Sequence, residues 1–251
     1  MMEPPIAAYR NHPPQGCSGR LAGPRRGLCA TLARRWPETR LGTLMIAALL
    51  AGCADNPPVP DWQANARTAT ERSVAAYLVG NARIEAAELA RARSEVARTG
   101  RADLLARVEL THCAAQVASL VFGPCAGFEA LRADAAAPER AYADYLLAKA
   151  TPPDVALLPA PHRGAAPGTI ADPLARLIAA GVLLEAGRAD PALIALAVET
   201  ASAQGWRRPL LAWLGVQLRL AEQAGAGDAT QALRRRIERV EGAAASAPTS
   251  P

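Results

Sequence analysis

The sequence predicts an all-α protein, an irregular array or bundle of antiparallel helical hairpins. Three observations carry this. Beyond residue 60 the chain is rich in Ala, Leu, Arg and Glu and poor in Val, Ile and aromatics, a composition of helix formers. Apolar residues recur at three- and four-residue spacings, and period-two alternation is hard to find. Glycines and prolines fall where helices need to stop and start.

The elements follow from that punctuation. Asp61 is placed to cap a helix over 61–79, which Gly80 ends. A second helix spans 82–99 and stops at Gly100. Its Glu88, Arg91, Glu95 and Arg98 lie at helical spacings and read as a solvated face. Asp103 is placed to cap a third, with Leu104, Val108, Leu110, Ala114, Val117 and Leu120 mostly on one side and Gly123-Pro124 as its stop. Shorter helices are expected over 128–132 and 138–148, the latter carrying Tyr142 and Tyr145. Together these make an N-terminal helical region over 61–150.

Residues 151–169 break the pattern. Pro152, Pro153, Pro159, Pro161, Pro167, Gly164 and Gly168 are costly inside a helix, so the segment reads as a linker or an ordered surface loop. C-terminal hairpins follow over 170–243. Asp172-Pro173 and Asp190-Pro191 each pair an N-cap with a proline at the first helical position. Leu174, Leu177, Ile178, Gly181 and Leu184 share one face of the first helix, and Leu211, Leu214, Leu218 and Ala221 line a later one. The last helix carries Leu233, Ile237 and Val240 beside Arg234, Arg235, Arg236 and Arg239. Residues 244–251 read as a disordered tail.

One tetrapeptide recurs. Gly100-Arg101-Ala102-Asp103 returns as Gly187-Arg188-Ala189-Asp190, with a looser copy at Gly225-Ala226-Gly227-Asp228. Each reads as a helix stop followed by an N-cap, the minimum turn between antiparallel helices. These turns resemble those of tetratricopeptide-like repeats. The likeness covers the turns and little more, because the separations do not keep a 34-residue period. A plain helical bundle accounts for them equally well.

The first 52 residues read differently. An apolar run of 11 residues over 41–51 follows Arg34, Arg35 and Arg40, about half the length a bilayer-spanning helix needs and suited to the apolar region of an export signal. It ends in Leu50-Ala51-Gly52-Cys53, which resembles the lipobox of bacterial lipoproteins. The resemblance implies diacylglyceryl transfer to the Cys53 thiol, cleavage between Gly52 and Cys53, and acylation of the new amine. The forty residues ahead of the apolar run exceed a usual leader, which fits a start codon assigned too far upstream. Ala54 rather than aspartate follows the cysteine, which in lipoproteins of this type favours the outer membrane over the inner. Residues 53–60 then form a lipidated, proline-rich tether. The lipobox, residues 90–101 and a cysteine pair together resemble uncharacterised lipoproteins of Gram-negative bacteria, a likeness that implies location rather than mechanism.

Removing residues 1–52 removes seven arginines and two acids. The remaining chain holds 21 basic and 21 acidic residues. The basic excess belongs to the leader, so nothing in the rest points to nucleic acid. Membrane affinity is assigned to the lipid instead.

In the oxidising compartment such a lipoprotein reaches, Cys113 and Cys125 form an even pair. A bridge between them contributes roughly 3 kcal/mol on loop-closure grounds. It also requires the third helix to end between them, since an unbroken helix would hold the two Cα atoms about 18 Å apart. The rival reading is a metal site built from His112, Cys113, Cys125 and His162. His112 and Cys113 point in different directions on a helix, and no metal-type cysteine spacing is present, so no metal or other cofactor is expected. His112 reads as an exposed or capped side chain.

No nucleophile elbow, phosphate-binding glycine loop or acid–base pair emerges. Glu85, Glu88 and Glu95 are interleaved with arginines and read as surface ion pairs. Trp62, Trp206 and Trp213 read as core plugs more readily than as a binding groove. The expectation is a non-enzymatic, membrane-anchored adaptor that binds another envelope protein. The alternative is a protein binding a small molecule or peptidoglycan fragment between the helical halves, and an enzyme with an unfamiliar site ranks third.

Overall fold

In the computed structural model, which describes residues 59–245, all regular structure is helical. The expected leader, the expected cleavage between Gly52 and Cys53, the lipidation candidate Cys53 and residues 246–251 of the expected tail lie outside the described residues. Ten helices are described: α1 (Asp61–Val79), α2 (Ala82–Ala97), α3 (Ala102–Ala118), α4 (Ala126–Glu129), α5 (Ala137–Leu146), α6 (Pro152–Val155), α7 (Pro173–Glu185), α8 (Pro191–Ala203), α9 (Arg207–Gln223) and α10 (Gly227–Ala245). From Pro60 onward they belong to one compact unit.

Helices α1 and α2 form a close hairpin. Gly80 takes the left-handed conformation at φ +86° that its turn requires. The Asn81 side chain then accepts the Ile84 amide at 3.1 Å to start α2. Helix α3 packs against α1, α2, α5 and α7, while α9 packs against α1, α8 and α10. The main core joins Leu110, Val117 and Phe128 to Leu177, Ile178, Trp213 and Leu214. It therefore runs through both predicted halves of the chain.

Segment 151–169 is ordered surface structure. Its prolines occupy helix starts rather than interiors: Pro152 and Pro153 open α6, Pro161 sits in a 3₁₀ turn over Ala160–His162, and Pro167 opens another over Pro167–Thr169. A missing amide costs nothing there. Leu158 and His162 turn inward and are buried.

Several boundaries differ from expectation for identifiable reasons. Asp172 and Asp190 are N-caps, each accepting an amide three residues on at 2.7 Å. Asp61 and Asp103 are not. Pro60 and Arg101 occupy those cap positions, and the two aspartates lie within the first turns. The repeated tetrapeptide thus starts a helix in two registers. Pro191 bars Asp190 from helical geometry and holds it extended. No proline follows Asp103, so that residue joins the helix and binds Arg101 through two hydrogen bonds of 2.9 and 2.6 Å. On α9 the core face is Leu210, Trp213, Leu214 and Val216, with Leu211 and Leu218 half-buried beside it. Helix α10 runs on to Ala245 instead of ending at 243.

Helices α3 and α7 cross in close backbone contact. A Cβ on Gly181 would stand 2.5 Å from the Val117 carbonyl oxygen. Nearby, the fully buried Trp213 donates its indole N–H to the Ala118 carbonyl at 3.1 Å, satisfying a group at the end of α3. Gly181→Ala gains helix propensity of about 1 kcal/mol but overpacks a backbone contact at a cost of about 1–3 kcal/mol. A net loss is expected, visible as a lower urea midpoint. At the end of α5, Ala148 holds φ +56°. Ala148→Gly relieves that strain, and a gain of about 0.5–1 kcal/mol is expected in the same assay.

Candidate functional site

The end of α1, the start of α2, the end of α3 and the first turn of α9 converge on an open cleft of about 500 Å³, lined by Tyr77, Ala82, Glu85, Gln116, Ser119, Val121 and Arg208. Glu85 organises one wall of it. One carboxylate oxygen lies 3.0 Å from His112 Nε2, and the other accepts Arg208 Nη1 at 2.9 Å. Its own carbonyl accepts the Ser73 hydroxyl at 3.0 Å. The Arg208 guanidinium lies 4.3 Å above the Tyr77 ring, and His112 meets that ring edge-on. Side chains from four helices are thereby tied together, one of the links spanning 123 residues of sequence. Burial pushes the Tyr77 phenol above its usual range, against the opposing pull of the Ser119 hydroxyl and the Arg208 cation.

This constellation departs from the sequence reading. Glu85 is mostly covered and shared between two partners, and His112 is mostly buried rather than exposed. Glu88 and Glu95 do pair with arginines, Arg72 and Arg98. Sequence reasoning missed Tyr77 and Arg208 altogether. A lone histidine within α3 and a lone tyrosine at the end of α1 were the available signals.

The cleft has one apolar lip. Helix α3 ends at Ser119, Leu120 takes φ +60°, and Val121 emerges 54% exposed. Behind the lip, Cys113 and Cys125 are disulfide-bonded with Cα atoms 5.9 Å apart. The helix ends between them, as such a bridge requires.

Two further buried features lie away from the cleft. Glu109 on α3 receives both Arg93 hydrogen bonds, at 2.5 and 2.6 Å. Gly127 leaves room for it, since a Cβ there would sit 2.0 Å from the carboxylate. Tyr142, Tyr145 and His162 form a buried aromatic cluster in which the Tyr145 hydroxyl and His162 Nδ1 are 3.1 Å apart. Burial raises both phenols and pushes the imidazole down to about 4.

The residues of the rival metal reading are dispersed among these features. The cysteines bind each other, His112 engages Glu85, and His162 engages Tyr145. Among the described residues no three His, Cys, Asp or Glu side chains converge on a point that would hold a metal ion. Trp213 is a core plug, whereas Trp62 and Trp206 are half-buried. Among the described residues no helix is long and apolar enough to cross a membrane. Comparison with protein-family models, curated proteins and solved structures finds no match.

His162 gives the fold a defined acid response. Its folded pKa of about 4 lies below its unfolded value, so the unfolded chain takes up the proton first. The stability from burying a neutral imidazole is fully present above about pH 6.5 and is lost as pH falls toward the folded value, on the order of 2–3 kcal/mol in all. The wild type is expected to lose stability relative to His162→Gln between pH 6.5 and 5, with urea titrations of both proteins as the measurement.

Proposed function

We propose that this protein is a lipid-tethered adaptor of the bacterial envelope, held to the periplasmic face of the outer membrane through Cys53, and that it docks a partner protein in the Tyr77–Arg208 cleft. The observation that carries the reading is the cleft itself. Tyrosine and arginine dominate the energetics of protein interfaces, and here they are stacked and held by Glu85 and His112 before any partner arrives. Side chains already fixed in place lose little entropy on binding. Val121 supplies exposed apolar surface at the rim. The lipobox resemblance supports the tether, and a disulfide suits an oxidising compartment.

The second reading, a small ligand or cell-wall fragment in the same cleft, draws on its volume, which falls in the range of small-molecule sites. The cleft's openness favours a macromolecule, because small-molecule sites bury about 70–90% of their ligand. A partner surface needs no such enclosure.

In-cell crosslinking of the tagged full chain, read by mass spectrometry, tests this. Wild type is expected to capture one stoichiometric envelope protein, and Cys53→Ser to lose both membrane attachment and capture. Arg208→Ala is expected to weaken binding by about 2 kcal/mol, roughly thirtyfold, with lipidation intact. A melting curve of that variant separates lost binding from the cost of leaving Glu85 short of a partner. Lipidated, membrane-bound wild type that captures nothing would move the assignment to ligand binding.

A further inference from the structure

The geometry points to the Cys113–Cys125 disulfide as a redox switch for the docking cleft: oxidation pins the Val121 lip in place, and reduction releases it while the helical body stays folded. The inference rests on the cleft being the docking site, and it concerns how that site is completed.

The bridge and the cleft lie on opposite sides of the same short segment. A void of about 10 Å³, close to the minimum for one water, is lined by Cys113, Gln116, Val121, Gly123 and Cys125 among others. Gln116 and Val121 also line the cleft. Cys125, at the start of α4, is therefore the far anchor of a lip whose near anchor is the last turn of α3.

Little else fixes the lip. The Val121 amide donates to the Gln116 carbonyl at 3.0 Å. Beyond it, among the described residues, Phe122, Gly123 and Cys125 donate no backbone hydrogen bond, and Pro124 has no amide to donate. Leu120 holds a left-handed conformation disfavoured for a residue with a Cβ, and such strain persists only where surrounding constraints enforce it. Leu120 and Phe122 rest half-buried on the core, which keeps the segment nearby without setting the position of Val121. The Gln116 hydrogen bond holds the near end of the segment, and the covalent link at Cys125 holds its far end.

Cys113 is only partly buried, and the reductant the switch requires is a small dithiol. One thiolate of the dithiol attacks a sulfur of the bridge and forms a mixed disulfide, and its second thiol resolves it. Two electrons and two protons pass to the protein, leaving two cysteine thiols and an oxidised dithiol. Leu177, Ile178, Trp213 and Leu214 are fully buried in helix-to-helix packing, so the α7–α9 body is expected to persist when that bond is reduced.

Hydrogen exchange of the full-length protein, with and without dithiothreitol and alongside a Cys113→Ser/Cys125→Ser double variant, tests the switch directly. Reduction is expected to speed exchange at Val121 and over 129–131, whose amides are hydrogen-bonded in the oxidised protein, by at least about tenfold and to leave α7–α9 unchanged, as for a local opening. Unchanged exchange at the lip would overturn the inference, and so would loss of protection throughout the body. Crosslinking then separates this inference from the docking reading. If wild type captures a partner and the double variant does not, both stand. Equal capture by both proteins overturns the switch and leaves docking intact. No capture by oxidised wild type fails the docking reading, whatever the exchange shows. Val121→Ser keeps the bridge, and is expected to lose capture with lip exchange unaltered.

Discussion

Helix α3 is covered around most of its circumference, and that constraint organises the molecule. It lies against α1, α2, α5 and α7 at once. Ala106, Val108, Glu109, Leu110, Ala114, Ala115, Val117 and Ala118 are all buried, leaving little of it to face water. A helix in that position can carry a charge only if a neighbour neutralises it. Arg93 does so for Glu109 from the half-exposed surface of α2, with Gly127 supplying the space. Arg107 of α3 performs the converse service for the buried Glu139, reaching it at 2.7 Å in the first turn of α5. The arginine stems bridge from core to solvent, so each buried carboxylate meets its partner near the surface, where hydration of the cation is retained.

The same constraint explains the cleft. Because α3 is enclosed, the polar side chains of its C-terminal half are drawn into contacts with other helices where the chain leaves the core. His112, Gln116 and Ser119 come to the edge there and meet Glu85, Tyr77 and Arg208 from three other helices. The resulting group is electrically balanced and mutually bonded. It therefore presents a fixed aromatic and cationic surface instead of a flexible arginine. The disulfide stands at the same exit, where the regular hydrogen bonding of α3 has ended and a covalent link replaces it.

Local chemistry with one dominant constraint was legible in the sequence. Asp172-Pro173 and Asp190-Pro191 are helix starts in the structure because proline restricts both its own backbone and the residue before it. Asp61 and Asp103 looked equivalent, yet nothing locked their register, and a helix can begin one or two residues earlier at little cost. The acids show the same limit. Glu109 and Glu139 are as polar in sequence as Glu71, but the first two are buried and Glu71 is exposed. Burial depends on which helices arrive from elsewhere in the chain.

The sequence by itself determined that this protein is helical, where most of its helices turn, and that Cys113 and Cys125 can pair. Composition, periodicity and glycine–proline punctuation act over a few residues, and a few residues suffice to read them. Tertiary structure alone decided that the predicted halves share one core, that 151–169 carries buried residues, and that Tyr77, Glu85, His112 and Arg208 form one site. Those outcomes depend on the close crossing of α3 and α7 at Gly181 and on the return of α9 to α1. They are properties of helix packing between residues more than 120 positions apart, a range at which no local pattern in the chain carries information.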